Sequence, residues 1–193
     1  RDRINDSKKL NSCKRKEIIL SLDNFVKYSS SIASVKEIDN YGLSYANAIA
    51  MKWSVFSLTE QLKNLQTYKK TEFCIYIDGK FKPDFENLDN ILQSKKLHLY
   101  SCSVKTLVKG DSLCKTIALA SIISKETRDT IMRQLSKKYP YYFFDSHFGY
   151  GTCNHKNAIL KNGVLDIHRK SFKPIATISV SYTHLRAHET RPY

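Results

Sequence analysis

No apolar run in this chain of 193 residues comes near the ~20 residues that a membrane-spanning helix needs, so a soluble, non-membrane protein is expected. The first residues lack the order of basic, apolar and small residues that marks a secretory signal. Cysteine is sparse and unpatterned: Cys13, Cys74, Cys102, Cys114 and Cys153 are odd in number and contain no CxxC pair. That argues against structural zinc and for reduced thiols in a cytoplasmic setting. Internal repeats and low-complexity stretches are absent, and no boundary separates two domains. One domain over residues 1–175 is expected, long enough for a substantial core, with residues 176–193 as an unassigned tail.

Acid is also scarce. Asp and Glu number 18 against 32 Lys and Arg, a formal net charge of +14, which points to a polyanionic partner such as nucleic acid. Lysine, asparagine, isoleucine and tyrosine are all abundant, so a nucleotide-biased genome is the compositional alternative.

Two of the few acids stand at junctions. Val104 to Val108 reads as a short apolar strand, Lys109 and Gly110 break it, and Asp111 or Ser112 is a good N-cap for a long helix beginning at Leu113. Leu113, Ile117, Ala120, Ser124, Ile131 and Leu135 recur at helical spacing, and this helix is expected to be buried along most of its first half. Asp111 is thus either a cap or a carboxylate aimed into a site. Phe73 to Ile77 is a continuous apolar run, predicted to be a strand covered on both faces with Cys74 packed inside. Asp78 ends that run and Gly79 follows, so Asp78 is either half of an Asp-Gly turn or an acid at the carboxyl end of a strand, where open α/β sheets bind ligands. Two such acids in so basic a chain suggest Mg²⁺ or Mn²⁺ held by carboxylates, water and a phosphate-bearing substrate.

Around these junctions, Asn11 or Ser12 caps a predicted helix to about Leu22, Tyr28 to Ala33 reads as a strand, and Ser34 to Glu37 fits a capping box. A helix from Ser44 to Leu62 follows, with Trp53 expected in the core, and Phe81 to Lys96 favours loop. YPYYFFDSHFGYGT is aromatic and bounded by Pro140, Gly149 and Gly151, which predicts a loop with rings pointing out of it. Asn154 to Asn162 reads as a helix ended by Gly163.

The segments KGDSLCKTIALASIISKETRD, YIDGK, NDSKKL, YPYYFFDSHFGYGT and IHRKSFKP resemble, in order and spacing, the ribonuclease HII family, over Asn5 to about Pro174. The Thr127, Arg128, Asp129 ending of the long helix is the type 2 form. The resemblance implies an α/β, ribonuclease H-like fold: a mixed central sheet flanked by helices, here without its first strands. It implies an endoribonuclease that cleaves the RNA strand of RNA/DNA hybrids and the bond 5′ of ribonucleotides embedded in duplex DNA, working as a monomer with two metal ions. Asp78 and Asp111 are then metal ligands; Lys8, Lys9, Arg169 and Lys170 are candidate phosphate contacts, and Tyr150 packs on the sugar beside the ribonucleotide. The alternatives are solvated lysines and a buried tyrosine. Phe148 stands where the family usually has lysine, which puts a phosphate contact there in doubt.

Family members begin with a strand carrying an Asp-Glu pair and a Gly-Arg-Gly turn. Neither is present, so an amino-terminally truncated chain with two of four metal carboxylates, and little or no activity, is expected. SVSYTHLRAHETRPY at the other end resembles a translated sequencing adapter. A basic nucleic-acid-binding module without catalysis, in which Asp78 and Asp111 are turn and cap, is the competing reading. An RNA-associated scaffold is a third.

Overall fold

Asn11 accepts the Lys14 N–H at 2.9 Å through its side chain and so caps the first helix, α1 (Ser12–Leu22), as its sequence predicts. The computed structural model describes residues 10–22, 24–63, 73–83, 102–173 and 175–177. Lys8, Lys9, the tail beyond residue 177 and most of the loop expected over Phe81 to Lys96 lie outside the described residues. By contact density the chain divides into two units, residues 1–32 with 47–127, and residues 33–46 with 128–193.

In the first unit α1 buries Ile18 and Arg15. The predicted strand after it is extended chain without a strand partner among the described residues, tied instead by the Ser31 N–H to the Ser54 hydroxyl at 3.1 Å. Helix α3 (Leu43–Lys63) leads toward strands β1 (Phe73–Asp78) and β2 (Cys102–Leu107), which pair in parallel with Phe73 opposite Cys102 and Asp78 opposite Leu107. Ile77 is buried against Met51, Val55, Ile75 and Val104. Removing such a side chain from water is worth about 2–3 kcal/mol, enough to fix the face this strand turns inward.

Burial along β1 alternates, with Cys74 and Tyr76 exposed. The expectation of a strand covered on both faces, with Cys74 packed, is therefore corrected. Cysteine and tyrosine count as apolar in a run, yet tyrosine often stays partly exposed, and only Ile75 and Ile77 face the cluster. Trp53, expected in the core, is 56% exposed. It packs edge-on against Phe56, 5.7 Å between ring centroids.

After β2 come the single turn α4 (Gly110–Leu113) and the long helix α5 (Lys115–Lys138). Cys114 is extended and separates them, so Leu113 is not in phase with α5 and lies exposed. The buried face is Ile117, Ala118, Ile122, Ile123, Glu126, Asp129 and Met132, whereas Ala120 and Ser124, expected on it, are exposed. Small residues give weak periodicity, so Ala120 and Ser124 are poor guides to the buried face, and the interruption at Cys114 takes Leu113 out of it.

Glu126 would be costly to bury alone. It accepts from Arg15 Nε at 3.1 Å and from the Ser12 hydroxyl, which joins α1 to α5.

The second unit holds the capping-box helix α2 (Val35–Tyr41), in which Ser34 and Glu37 exchange bonds as predicted. Pro140–Tyr142 is a 3₁₀ turn, Phe144–His147 a single turn α6, and α7 (Cys153–Asn162) is capped by Thr152 and ended by Gly163. Tyr142 and Phe144 are buried with Met132, Ala158, Ile159 and Ile175. The aromatic segment thus sends these two rings inward, contrary to expectation, while Tyr141, Phe143 and Tyr150 point out. Among the described residues no helix is long and apolar enough to cross a membrane.

Replacing Arg15 by methionine strips Glu126 of its buried cation and is expected to destabilise the protein by about 3–5 kcal/mol. Urea unfolding of the two proteins measures the difference, and a loss under ~1 kcal/mol would show that the pair contributes little.

Candidate functional site

The parallel register carries Asp78 to the carboxyl end of β1, level with Leu107 at the end of β2. Gly79 N–H donates to the Leu107 carbonyl at 2.7 Å, which holds the two strand ends together. Beyond Leu107 the chain turns through Lys109, left-handed at φ 57° and ψ 38°, and the Gly110 N–H then donates to Asp78 Oδ1 at 2.8 Å. A non-glycine residue in that region carries roughly 1–2 kcal/mol of strain. The bond to Asp78 helps hold it.

The approach at Gly110 is close: a Cβ would lie 2.6 Å from Ile117 Cδ1 and 3.3 Å from Asp78 Oδ1, so the Ile117 side chain would have to shift. Asp111 is the next residue, half-buried in the first turn of α4.

This geometry bears on both structural alternatives. The capping position belongs to Lys109, which makes no side-chain cap bond, so Asp111 is not a cap. Asp78 and Gly79 do turn, with Gly79 at φ +93°, but the partner of β1 is a parallel strand, and a tight hairpin joins only antiparallel ones. Asp78, at the end of β1, and Asp111, in the turn α4, are linked through the backbone of Gly110. Asp78 Oδ2 has no partner among the described residues, and Asp111 has only a long contact, 3.5 Å, from the Ser112 hydroxyl.

Both oxygens suit a hard cation such as Mg²⁺, which commonly takes one or two carboxylates together with water and substrate phosphate. Among the described residues no group of three or more His, Cys, Asp or Glu is placed to close a metal site from protein alone. The donor set therefore fits an ion shared with a phosphate and does not fit a caged one.

The remaining candidates lie in the second unit. Tyr150 is 60% exposed between α6 and α7, with the Arg128 guanidinium 5.9 Å from its ring centroid. Arg128 also donates to the Phe148 carbonyl at 2.9 Å. Phe148 itself packs against the core, so it offers no phosphate contact.

Arg169 stacks on Phe172 at 4.1 Å, and the exposed Lys170 ammonium is 3.6 Å from Asp166. Asp39 of α2 accepts the backbone N–H groups of Lys170 and Ser171, at 2.9 and 3.0 Å, and the Ser171 hydroxyl. The Ser171 bonds hold its carboxyl below the ordinary carboxylate range.

Sequence reasoning gave no site role to Arg128, Asp39 or Asp129. Asp129 is a carboxylate only 2% exposed, seven residues after buried Ile122 and three before buried Met132. Its phase on the helix was the available signal.

A parallel strand pair preceded and followed by helices defines an α/β architecture. The chain is similar in structure to the ribonuclease H2 of Pyrococcus horikoshii OT3, with a TM-score of 0.62 over 93% of this chain and 82% of that one, at 21% identity. That likeness establishes the ribonuclease H-like fold. The family model for Ribonuclease HII matches residues 3–175. The chain is 34% identical over 175 residues to the Ribonuclease HII of Wolbachia pipientis wMel, covering 91% of this chain and 76% of the relative. It is 38% identical over 178 residues to that of Chlamydia caviae, covering 91% and 71%. The chain belongs to the ribonuclease HII family, and its class is that of the type 2 ribonucleases H, hydrolases of the nuclease kind.

Gly110→Ala forces Ile117 and the Asp78 carboxylate apart and is expected to cost about 1–3 kcal/mol. Thermal unfolding checks the cost. The carboxyl ¹³C resonance of Asp78 should move with it, and an unmoved resonance would mean that the bond from Gly110 does not set that side chain.

Proposed function

We propose that this chain is an endoribonuclease acting on the RNA strand of RNA/DNA hybrids and on the 5′ side of ribonucleotides embedded in duplex DNA. Asp78 and Asp111 serve it as ligands for Mg²⁺ or Mn²⁺. The observation that carries the reading is the 2.8 Å bond from Gly110 N–H to Asp78 Oδ1, which docks one strand-end carboxylate against the backbone immediately before the other. Bound there with the scissile phosphate, divalent ions would lower the pKa of an attacking water and neutralise charge on the leaving 3′-oxygen.

Asp78 and Asp111 would hold those ions, and it is through the ions that the phosphate would be oriented. With these two carboxylates alone, affinity for the ion is expected to be low without a polyanion and cleavage slow. Tyr150 offers an exposed ring for a sugar, steadied by Arg128, where a single 2′-hydroxyl separates ribose from deoxyribose. Arg169 and Lys170 contribute positive charge to the nucleic-acid backbone, and Lys8 and Lys9 are proposed to do the same.

Asp78→Asn keeps an acceptor for Gly110 N–H while removing the charge, so the fold should survive. Fluorescence anisotropy with a hybrid duplex is expected to show Mg²⁺-enhanced binding in the parent, and its loss in Asp78→Asn and Asp111→Asn. Equal or tighter Mg²⁺-independent binding by both variants would favour a basic binding module without catalysis.

Tyr150→Ala should reduce the preference for a duplex containing one ribonucleotide over all-DNA duplex by about one stacking contact, roughly 1–3 kcal/mol. Competition binding reads this directly, and an unchanged preference would remove Tyr150 from sugar recognition.

A further inference from the structure

Three histidines lie buried in the second unit beneath Tyr150. His147, His155 and His168 are each 6% exposed. The rings of His147 and His155 stack at 4.3 Å and 16°, and His155 Nε2 is 3.2 Å from His168 Nε2. Phe144 sits edge-on to His147 and His155, and the Tyr142 ring is 5.6 Å from His168. The Tyr142 hydroxyl donates to the Asn162 and Gly163 carbonyls, and Asp145 interacts electrostatically with His147.

The partners fix where each proton sits. The Leu165 N–H can only donate, and it points at His168 Nδ1 at 2.9 Å, so His168 carries its proton on Nε2. That proton lies between His168 and His155 and makes His155 Nε2 the acceptor. His155 is then protonated on Nδ1, which donates to the Tyr150 carbonyl at 3.0 Å.

The far end demands the same answer. A carbonyl facing Nδ1 needs a proton there. The opposite arrangement, with His168 Nδ1 donating to the Leu165 carbonyl at 3.3 Å, would leave Leu165 N–H unpaired and set a lone pair of His155 against Tyr150.

Tyr150 is held on both sides by this set. Its carbonyl also accepts from Thr152 N–H at 2.8 Å, and its own N–H donates to the His147 carbonyl at 2.9 Å. His147 Nδ1 accepts from Gly149 N–H at 3.2 Å, with Gly149 at φ +77°, and its Nε2 donates to the Tyr142 carbonyl at 2.8 Å. The exposed ring therefore stands on a backbone turn whose hydrogen bonds require neutral histidines.

We propose that His155 and His168 are positioning residues for Tyr150, a neutral imidazole pair whose single arrangement of protons fixes the turn that presents the ring, and that one added proton releases it. The proposal rests on Tyr150 as the sugar contact. A proton gained by His155 places two N–H groups head to head unless His168 changes tautomer and abandons Leu165 N–H.

Burial holds both histidines below the ordinary value of 6.5, partly opposed by the carbonyls of Tyr150 and Leu165. The unfolded chain thus takes up protons first. The stability these groups contribute is fully present above pH 6.5 and falls as pH drops from 6.5 through their folded-state values.

The test uses the full chain, with ¹⁵N histidine spectra and competition binding of duplexes with and without one ribonucleotide, from pH 8 to pH 5. His155 is expected as the Nδ1–H tautomer, with His147 and His168 as Nε2–H, and the ribonucleotide preference should decline below pH 6.5. His155→Asn keeps a donor where Nδ1 stood and should hold the preference within about twofold, whereas His155→Leu should lose about tenfold, one hydrogen bond to a buried carbonyl.

A role in packing alone predicts the reverse order, with leucine tolerated and asparagine not, and that order would overturn the proposal, as would an Nε2–H tautomer at His155. If the tautomers are as stated but Tyr150→Ala leaves the preference unchanged, the positioning stands and the sugar reading of Tyr150 falls.

Discussion

The bond between Gly110 N–H and Asp78 Oδ1 is the constraint on which the first unit's candidate chemistry depends. A parallel strand pair has no tight turn to join its ends, so something else must fix where the chain leaves the sheet. Here a strand-end carboxylate does so. It captures the first backbone donor of the next turn, and the price is a left-handed Lys109 and a close approach at Gly110 that a larger residue would crowd. Asp111 is placed by the same bond, because it follows Gly110 directly. One interaction thus links the left-handed residue, the close approach at Gly110 and the two acids on either side of it in a chain otherwise dominated by positive charge.

The second unit solves a different problem by a similar device. Its aromatic segment divides its rings, Tyr142 and Phe144 into the core, Tyr141, Phe143 and Tyr150 outward. Left-handed Phe143 and Phe148 and the glycine at 149 make that alternation possible, since each reverses the chain within a few residues. Buried histidines satisfy the turn's backbone groups, and Asp39 does the same for the segment bearing Arg169 and Lys170. In both places exposed side chains with a proposed role rest on backbone held by polar groups behind them.

Much of this was legible in the sequence. The helices carried their own stop and start signals: Asn11, the Ser34 and Glu37 box and Gly163 act as composition predicts, because capping is local chemistry. The family motifs pointed to the fold. What was not legible depended on partners far along the chain. Cys74 and Trp53 looked like core because they are apolar, but exposure is decided by what covers a face. Likewise Arg15 reads as a surface cation on a basic helix until Glu126, 111 residues away, is opposite it. Asp39, too, shows its use only when the chain returns 131 residues later. The break at Cys114, which separates Leu113 from the face of α5, has no signature among neighbouring residues.

The most direct test of the account is where a paramagnetic ion binds. Mn²⁺ added in small amounts to ¹⁵N-labelled protein with a hybrid duplex should broaden the amide signals of Gly79, Gly110 and Ser112 before others. Broadening spread over exposed carboxylates such as Asp145 and Asp166, with Gly79 and Gly110 left sharp, would contradict the assignment of Asp78 and Asp111 as the metal-binding pair.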